Sequence, residues 1–150
     1  MNPKIDSRAI LHPSPRSATA GWYNRRIMVE FNDFEQWVDE ALAGLPAYFR
    51  ERMDNVTIVV EDWADGETLR VAGIRRPEEL LGFYHGIPLT RRTSGYMLVA
   101  PDKISIYRQP ILLQCRTLPQ ARALTHRVVR HEVAHYFGIS DERLRELGAY

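Results

Sequence analysis

What this sequence lacks closes off several classes of protein. It has a single cysteine, Cys115, so no internal disulfide can form. It has no apolar run approaching the ~20 residues of a membrane-spanning helix. Its opening residues, MNPKIDSRAILHPSPRSATAGWYNRR, hold no apolar stretch of the kind a secretory signal carries. With Met at position 1, these shortages place the expected location in the cytoplasm. Charge of one sign is also missing. The formal net charge is +1, which selects neither for nor against a charged partner. No internal repeat and no second domain are visible.

What is there suits one compact soluble domain. The chain has 150 residues, 45% hydrophobic and 26% charged, enough for a core. The charge is unevenly spread. Residues 1–26 carry five basic side chains against one acidic, Asp6, a net of +4, which leaves −3 for the rest. A basic tail suits nucleic acid or an acidic partner. Pro3, Pro13 and Pro15, several serines and few apolar residues make a solvated, disordered leader the expectation instead. The domain proper is then 27–150.

The first helix is expected in FNDFEQWVDEALAGL. There Phe34, Trp37, Val38, Ala41 and Leu42 repeat with helical period, Asn32 stands as N-cap and Glu35 follows three residues on. Gly44 and Pro46 interrupt it, and PAYFRERM resumes it for about two turns. NVTIVVED is rich in β-branched residues and reads as a strand, closed by a turn at ADGE. LLGFYHG reads as a second strand. GYMLVAPDKISIYRQ reads as two more, joined by a turn at Pro101 and Asp102, with Ile104 and Ile106 on one face and Ser105 and Tyr107 on the other. The last helix opens at TLPQ, a capping box headed by Thr117, and runs through ARALTHRVVRHEVAHYF to Gly138. Helix, strands, then helix predicts an α+β fold with a small mixed sheet.

The chemistry is carried by VVRHEVAHYFGISDERL. His131 and His135 are four residues apart, so on a helix they lie about 40° and 6 Å apart and can converge on one ion. Leu124 and Val128 share that face as an apolar floor. Glu132 is offset by about 100°, placed to reach a water beside the ion rather than the ion itself. Two ligands and a general base are what metal-assisted hydrolysis needs. A catalytic zinc site wants a third ligand and an open position. Gly138 can stop the helix in a left-handed turn, and a chain reversing there brings back Asp141, with Glu146 the alternative on the same segment. Asking for Gly and then an acidic residue at fixed places lowers the chance rate by about a hundredfold. A plain reading stands beside each role: an acidic residue favouring a helix start for Asp141, a surface carboxylate for Glu132. Cys115 reads as a small buried residue, and His85 as a loop histidine or a group polarising a substrate carbonyl. Tyr84, Tyr107 and Tyr150 read as packing residues or oxyanion partners. His126 faces away from His131.

At these residues the sequence resembles the minimal zincin-like metallopeptidases, a family of small bacterial proteins. HEVAHYFGISDERLRELG is similar to the family's zinc motif, and LLGFYHGIPLTRR and APDKISIYRQPI are similar to its two other recurring stretches, over roughly residue 31 to the C-terminus. The resemblance implies a compact zincin core, zinc ligands His131, His135 and Asp141, and Glu132 as base. It departs from larger metzincins, which have a methionine turn after the third ligand. Here Met1, Met28, Met53 and Met97 all precede the motif, so Leu144 and Leu147 are expected as the floor.

The expected function is a zinc-dependent hydrolase, a peptidase in which Glu132 assists attack by a zinc-activated water, with a peptide or protein substrate and no membrane. The strand around KISIYRQ is expected to offer an edge to an extended peptide. Two other readings exist. Small zinc endoribonucleases of ribosome maturation share the His-x-x-x-His helix but generally lack the adjacent Glu. A non-catalytic zinc module needs no base and is usually closed by four protein ligands.

Overall fold

Val56 to Val60 are all β-branched, and they form the expected strand β1 (Val56–Glu61). In the computed structural model, which describes residues 27–94 and 101–146, β1 joins β2 (Gly82–His85) and β3 (Asp102–Tyr107). The order is β1-β3-β2, with β3 parallel to β1 and antiparallel to β2. This corrects the expectation that the KISIYRQ strand is an edge: β3 is central and both its sides are taken. Ile104 and Ile106 do face one way and Ser105 and Tyr107 the other, and all four are buried because both faces of the sheet are covered.

The helices account for that cover. α1 (Phe31–Ala43) buries Phe34, Val38 and Ala41. Its cap residue is Glu30, with no side-chain cap bond, so Asn32 lies inside the first turn and is not the N-cap. α2 (Ala47–Arg50) is a single turn rather than two. The ADGE turn does more than end β1. The Asp65 carboxylate accepts from the Thr68 N–H at 2.7 Å and opens α3 (Gly66–Ala72). At seven residues, with only Thr68 buried, α3 is too short to show a period. β3 stops at Tyr107, and Arg108 and Gln109, read as strand, begin α4 (Arg108–Leu113). Asp102, expected in a turn, is the first residue of β3 and 2% exposed. The strand expected in GYMLVA and the leader 1–26 lie outside the described residues.

α5 (Leu118–Tyr136) starts as its sequence predicts. The Thr117 side chain accepts from the Gln120 N–H at 3.3 Å. The return arm of the box lands one residue early, on the Arg116 N–H at 2.9 Å. α5 lies against α1 and over the sheet face of Ile104 and Ile106, burying Leu124, Val128, Val129, Val133 and Tyr136 in the main core. The opposite face carries a smaller core of Ile74, Leu80, Phe83 and Tyr107, with Leu69 and Ala72 of α3 packed on it. Tyr136 pins the end of α5 to the start of β1. Its hydroxyl donates to the Asp54 carbonyl at 2.6 Å and accepts from the Asp54 N–H at 3.1 Å. α6 (Asp141–Glu146) follows. The architecture is α+β with a small mixed sheet, as expected. Among the described residues no helix is long and apolar enough to cross a membrane.

Candidate metal centre

The end of α5 decides the site. Gly138 takes φ +80°, which a residue with a Cβ rarely adopts. Its N–H bonds the His135 carbonyl at 2.9 Å, and the Ile139 N–H bonds the Ala134 carbonyl at 2.9 Å. This pair of bonds is a Schellman turn, and it reverses the chain so that α6 begins beside the last turn of α5. Asp141 therefore returns to the histidines. Its Oδ1 lies 3.0 Å from His131 Nε2 and 3.3 Å from His135 Nε2, and the two Nε2 atoms are 2.9 Å apart.

Three donor atoms on one tetrahedral ion, with bonds of about 2.0–2.1 Å, stand roughly 3.3 Å from one another. The observed triangle is close to that face without any rearrangement. His135 is also held so that its neutral ring is the right tautomer. Its Nδ1 lies 3.0 Å from the Ile139 carbonyl, which can only accept, so Nδ1 keeps its proton and Nε2 is the atom left with a lone pair once the ring is neutral. Among the described residues, His131, His135 and Asp141 form the one group of three such side chains able to share a metal ion.

The electrostatics agree. Burial raises the Asp141 carboxyl, but hydrogen bonds from His131 and His135 outweigh it and hold Asp141 well below the usual carboxylate range. Burial lowers His135, and the bond to Asp141 with the charges of Glu132 and Asp141 overcomes it, so His135 sits above its ordinary value. Glu132 is 2% exposed. Burial pushes its carboxyl up despite the two histidines, the direction that suits a group taking and giving a proton.

Glu132 packs against the sheet at Gly82. The Tyr107 N–H bonds the Leu81 carbonyl at 2.9 Å, so antiparallel alternation aims Leu81 and Phe83 at β3, and Gly82 and Tyr84 outward. The outward Tyr84 N–H only weakly favours the charged Glu132 carboxylate. Glu132 Oε1 is buried and has no hydrogen-bond partner among the described residues. Gly82 makes room, because a Cβ there would come within 2.8 Å of Val128 Cγ1 and 2.9 Å of Glu132 Cγ.

The sequence pattern of the zincin-like metallopeptidase family matches residues 53–149, well over half of the chain. The protein belongs to that family. The match starts at Met53, so α1 precedes it. A comparison with curated proteins gives no match. Family membership implies a metal, and the three convergent side chains are a group that could hold one.

Other residues singled out from the sequence fall elsewhere in the zincin fold. Glu146 turns to Arg143 at 2.7 Å with its side chain 65% exposed, outside the metal group. His85 lies on the opposite sheet face, 3.1 Å from Ser105 Oγ, and burial pulls it below its ordinary value. Tyr107 is on that face too, where burial raises its hydroxyl to about 12. The Tyr84 hydroxyl donates to Asp102 at 2.6 Å. His126 is 3.6 Å from Glu40, and Cys115 is half-buried with its thiol raised by burial. Leu144 is buried. Leu147 and Tyr150 lie outside the described residues. Sequence reasoning missed the part played by Gly82. The glycine within the strand LLGFYHG was the signal, since a strand glycine often marks a close approach.

Proposed function

We propose that this zincin-like protein is a zinc-dependent peptidase, with His131, His135 and Asp141 as ligands and Glu132 as general base. The observation that carries the reading is the convergence of three lone-pair donors 2.9–3.3 Å apart beside a buried carboxylate with an unpartnered oxygen. Zinc in this site supplies a Lewis acid and makes water acidic near neutral pH. The chain's own groups do the rest. Glu132 Oε1 accepts a proton from the attacking water and returns it to the leaving nitrogen. Ile139 fixes His135 through its carbonyl. Peptide hydrolysis is favoured over the endoribonuclease reading by Glu132 itself, which sits beside the first histidine, buried and raised.

The test is a pair of variants. Wild type should bind about one zinc per chain, and His131→Ala with His135→Ala should bind none tightly. Glu132→Gln should retain zinc and lose hydrolysis of a mixed peptide library by about 100-fold or more. Wild-type cleavage by Glu132→Gln would rule out the base.

A further inference from the structure

After β2 the chain passes the end of α5 as a strap, which the chemistry above does not use. One tight helical turn, Leu89–Arg91, forms its middle. Leu89 packs against the main core. Arg92 follows, and its guanidinium pairs with the buried Asp102 carboxylate. Its Nε donates to the Ile87 carbonyl at 2.9 Å, and its Cζ stands 5.1 Å over the Tyr136 ring. Gly86 lets the strap close down, because a Cβ there would lie 2.6 Å from both Asp102 Cγ and the Tyr84 hydroxyl. Between these anchors Thr90 stands against Gly138, the glycine of the metal-site turn. A Cβ on Gly138 would meet Thr90 Cβ at 3.0 Å, Cγ2 at 2.8 Å and Oγ1 closer still.

The turn has a physical need for this neighbour. Glycine adopts φ +80° at little cost, yet it is also the residue least confined to one conformation. The two backbone bonds of the Schellman turn hold it from within. Thr90 supplies from outside the bulk that glycine lacks, and its β-branched side chain is stiff about χ1. Any change of φ or ψ at Gly138 swings the chain that carries Asp141, three residues on. Thr90 is itself exposed, so its packing adds little to the stability of the fold. Tyr136 ties the two sides together. It ends α5 two residues before Gly138, and its ring lies under the Arg92 guanidinium.

We propose that Thr90, anchored by Leu89 and Arg92, is a positioning residue for the metal site: it fills the space beside Gly138 and confines the turn that returns Asp141 to His131 and His135. The inference rests on the reading of those three side chains as metal ligands, but the bracing of the turn is measurable without a metal. The Ile139 N–H closes the turn on the Ala134 carbonyl, and the Tyr107 N–H bonds the Leu81 carbonyl in the sheet. A role in fold stability alone loosens both amides together.

The experiment combines zinc affinity by chelator competition with amide hydrogen exchange at Ile139 and Tyr107 in the metal-free full chain. Thr90→Ala removes Oγ1 and Cγ2. It should weaken zinc binding about tenfold, the scale of losing an outer support. Exchange at Ile139 should speed up about tenfold, and at Tyr107 by less than about threefold. The melting temperature of the metal-free chain should move by less than about 2 °C, as for a surface substitution. Thr90→Val keeps the shape without the hydroxyl and should stay within about threefold of wild type in both measurements. In a Gly138→Ala background the sign should reverse, because Thr90→Ala vacates the space the new methyl needs, and zinc affinity should rise. The proposal is overturned by unchanged affinity and exchange in Thr90→Ala, by equal loss in Thr90→Val, by equal acceleration of both amides, or by a further fall in affinity in the double variant. If wild type binds no zinc while Thr90→Ala releases Ile139 alone, the metal reading fails and the bracing of the turn stands.

Discussion

At the scale of single residues, the site depends on atoms that fit within tenths of an ångström. Gly82 shows this best. Its role is space for Glu132 rather than freedom of its own backbone. Gly82→Ala puts a methyl against Val128 and Glu132 at 2.8–2.9 Å. Those contacts have to give way, at about 1–3 kcal/mol for overpacking a filled core. The expected outcome in urea unfolding is a lower midpoint with unchanged slope. Hydrolysis should fall as well, because Glu132 is one of the atoms displaced. A midpoint at the wild-type position would show that α5 has slack over β2.

At the scale of elements, the turn between α5 and α6 does the work that no single ligand can. Two histidines on one helix are set by helical spacing. The third proposed ligand, Asp141, comes from the next element, and the left-handed turn at Gly138 brings it back. Gly138→Ala asks an L-residue to hold φ +80°, about 1–2 kcal/mol against it, and also drives a methyl into the Thr90 side chain. The turn should shift and Asp141 with it. Zinc affinity by chelator competition should drop about 10–100-fold although all three ligands remain. Unchanged affinity would mean that Asp141 finds the ion by another route.

For the whole molecule, metal and proton compete for the same atoms. In the metal-free protein Asp141 lies below its ordinary 3.8. Its contribution to stability is therefore present above 3.8 and lost as pH falls through the folded value. His135 lies above its ordinary 6.5. Its contribution is complete below 6.5 and lost as pH rises through the folded value. Zinc needs His135 unprotonated. Acidification thus stabilises the metal-free form at His135 while weakening zinc binding. The rise in melting temperature on adding zinc should begin to shrink above pH 6.5, earlier than an ordinary histidine would dictate. Paired thermal melts, with zinc and with chelator, across about pH 8 to 5.5 check this. A zinc-induced rise that stays constant down to pH 6 would contradict the raised His135.

The parts of this protein legible in the sequence are those encoded within a few residues. His131 and His135 at i and i+4, the Thr117 cap, the Gly138 stop and the β-branched run of β1 each follow from local spacing or propensity, and each stands in the fold as read. The elements missed or misjudged, α3, α4 and the Asn32 cap, are short, and short segments take their conformation from what packs on them. The third proposed ligand was only half legible. Asp141 and Glu146 share one terminal segment, and the Schellman turn aims the first at the histidines while the second faces Arg143 in solvent. Strand order was not legible at all, because alternation in KISIYRQ is the same for a central strand as for an edge. The close approach of Gly82 to Glu132, and the grip of Asp102 and Arg92 on Tyr84, join residues up to 50 positions apart. Such contacts leave no period in the sequence, and only the packing of β2 between α5 and β3 brings them together.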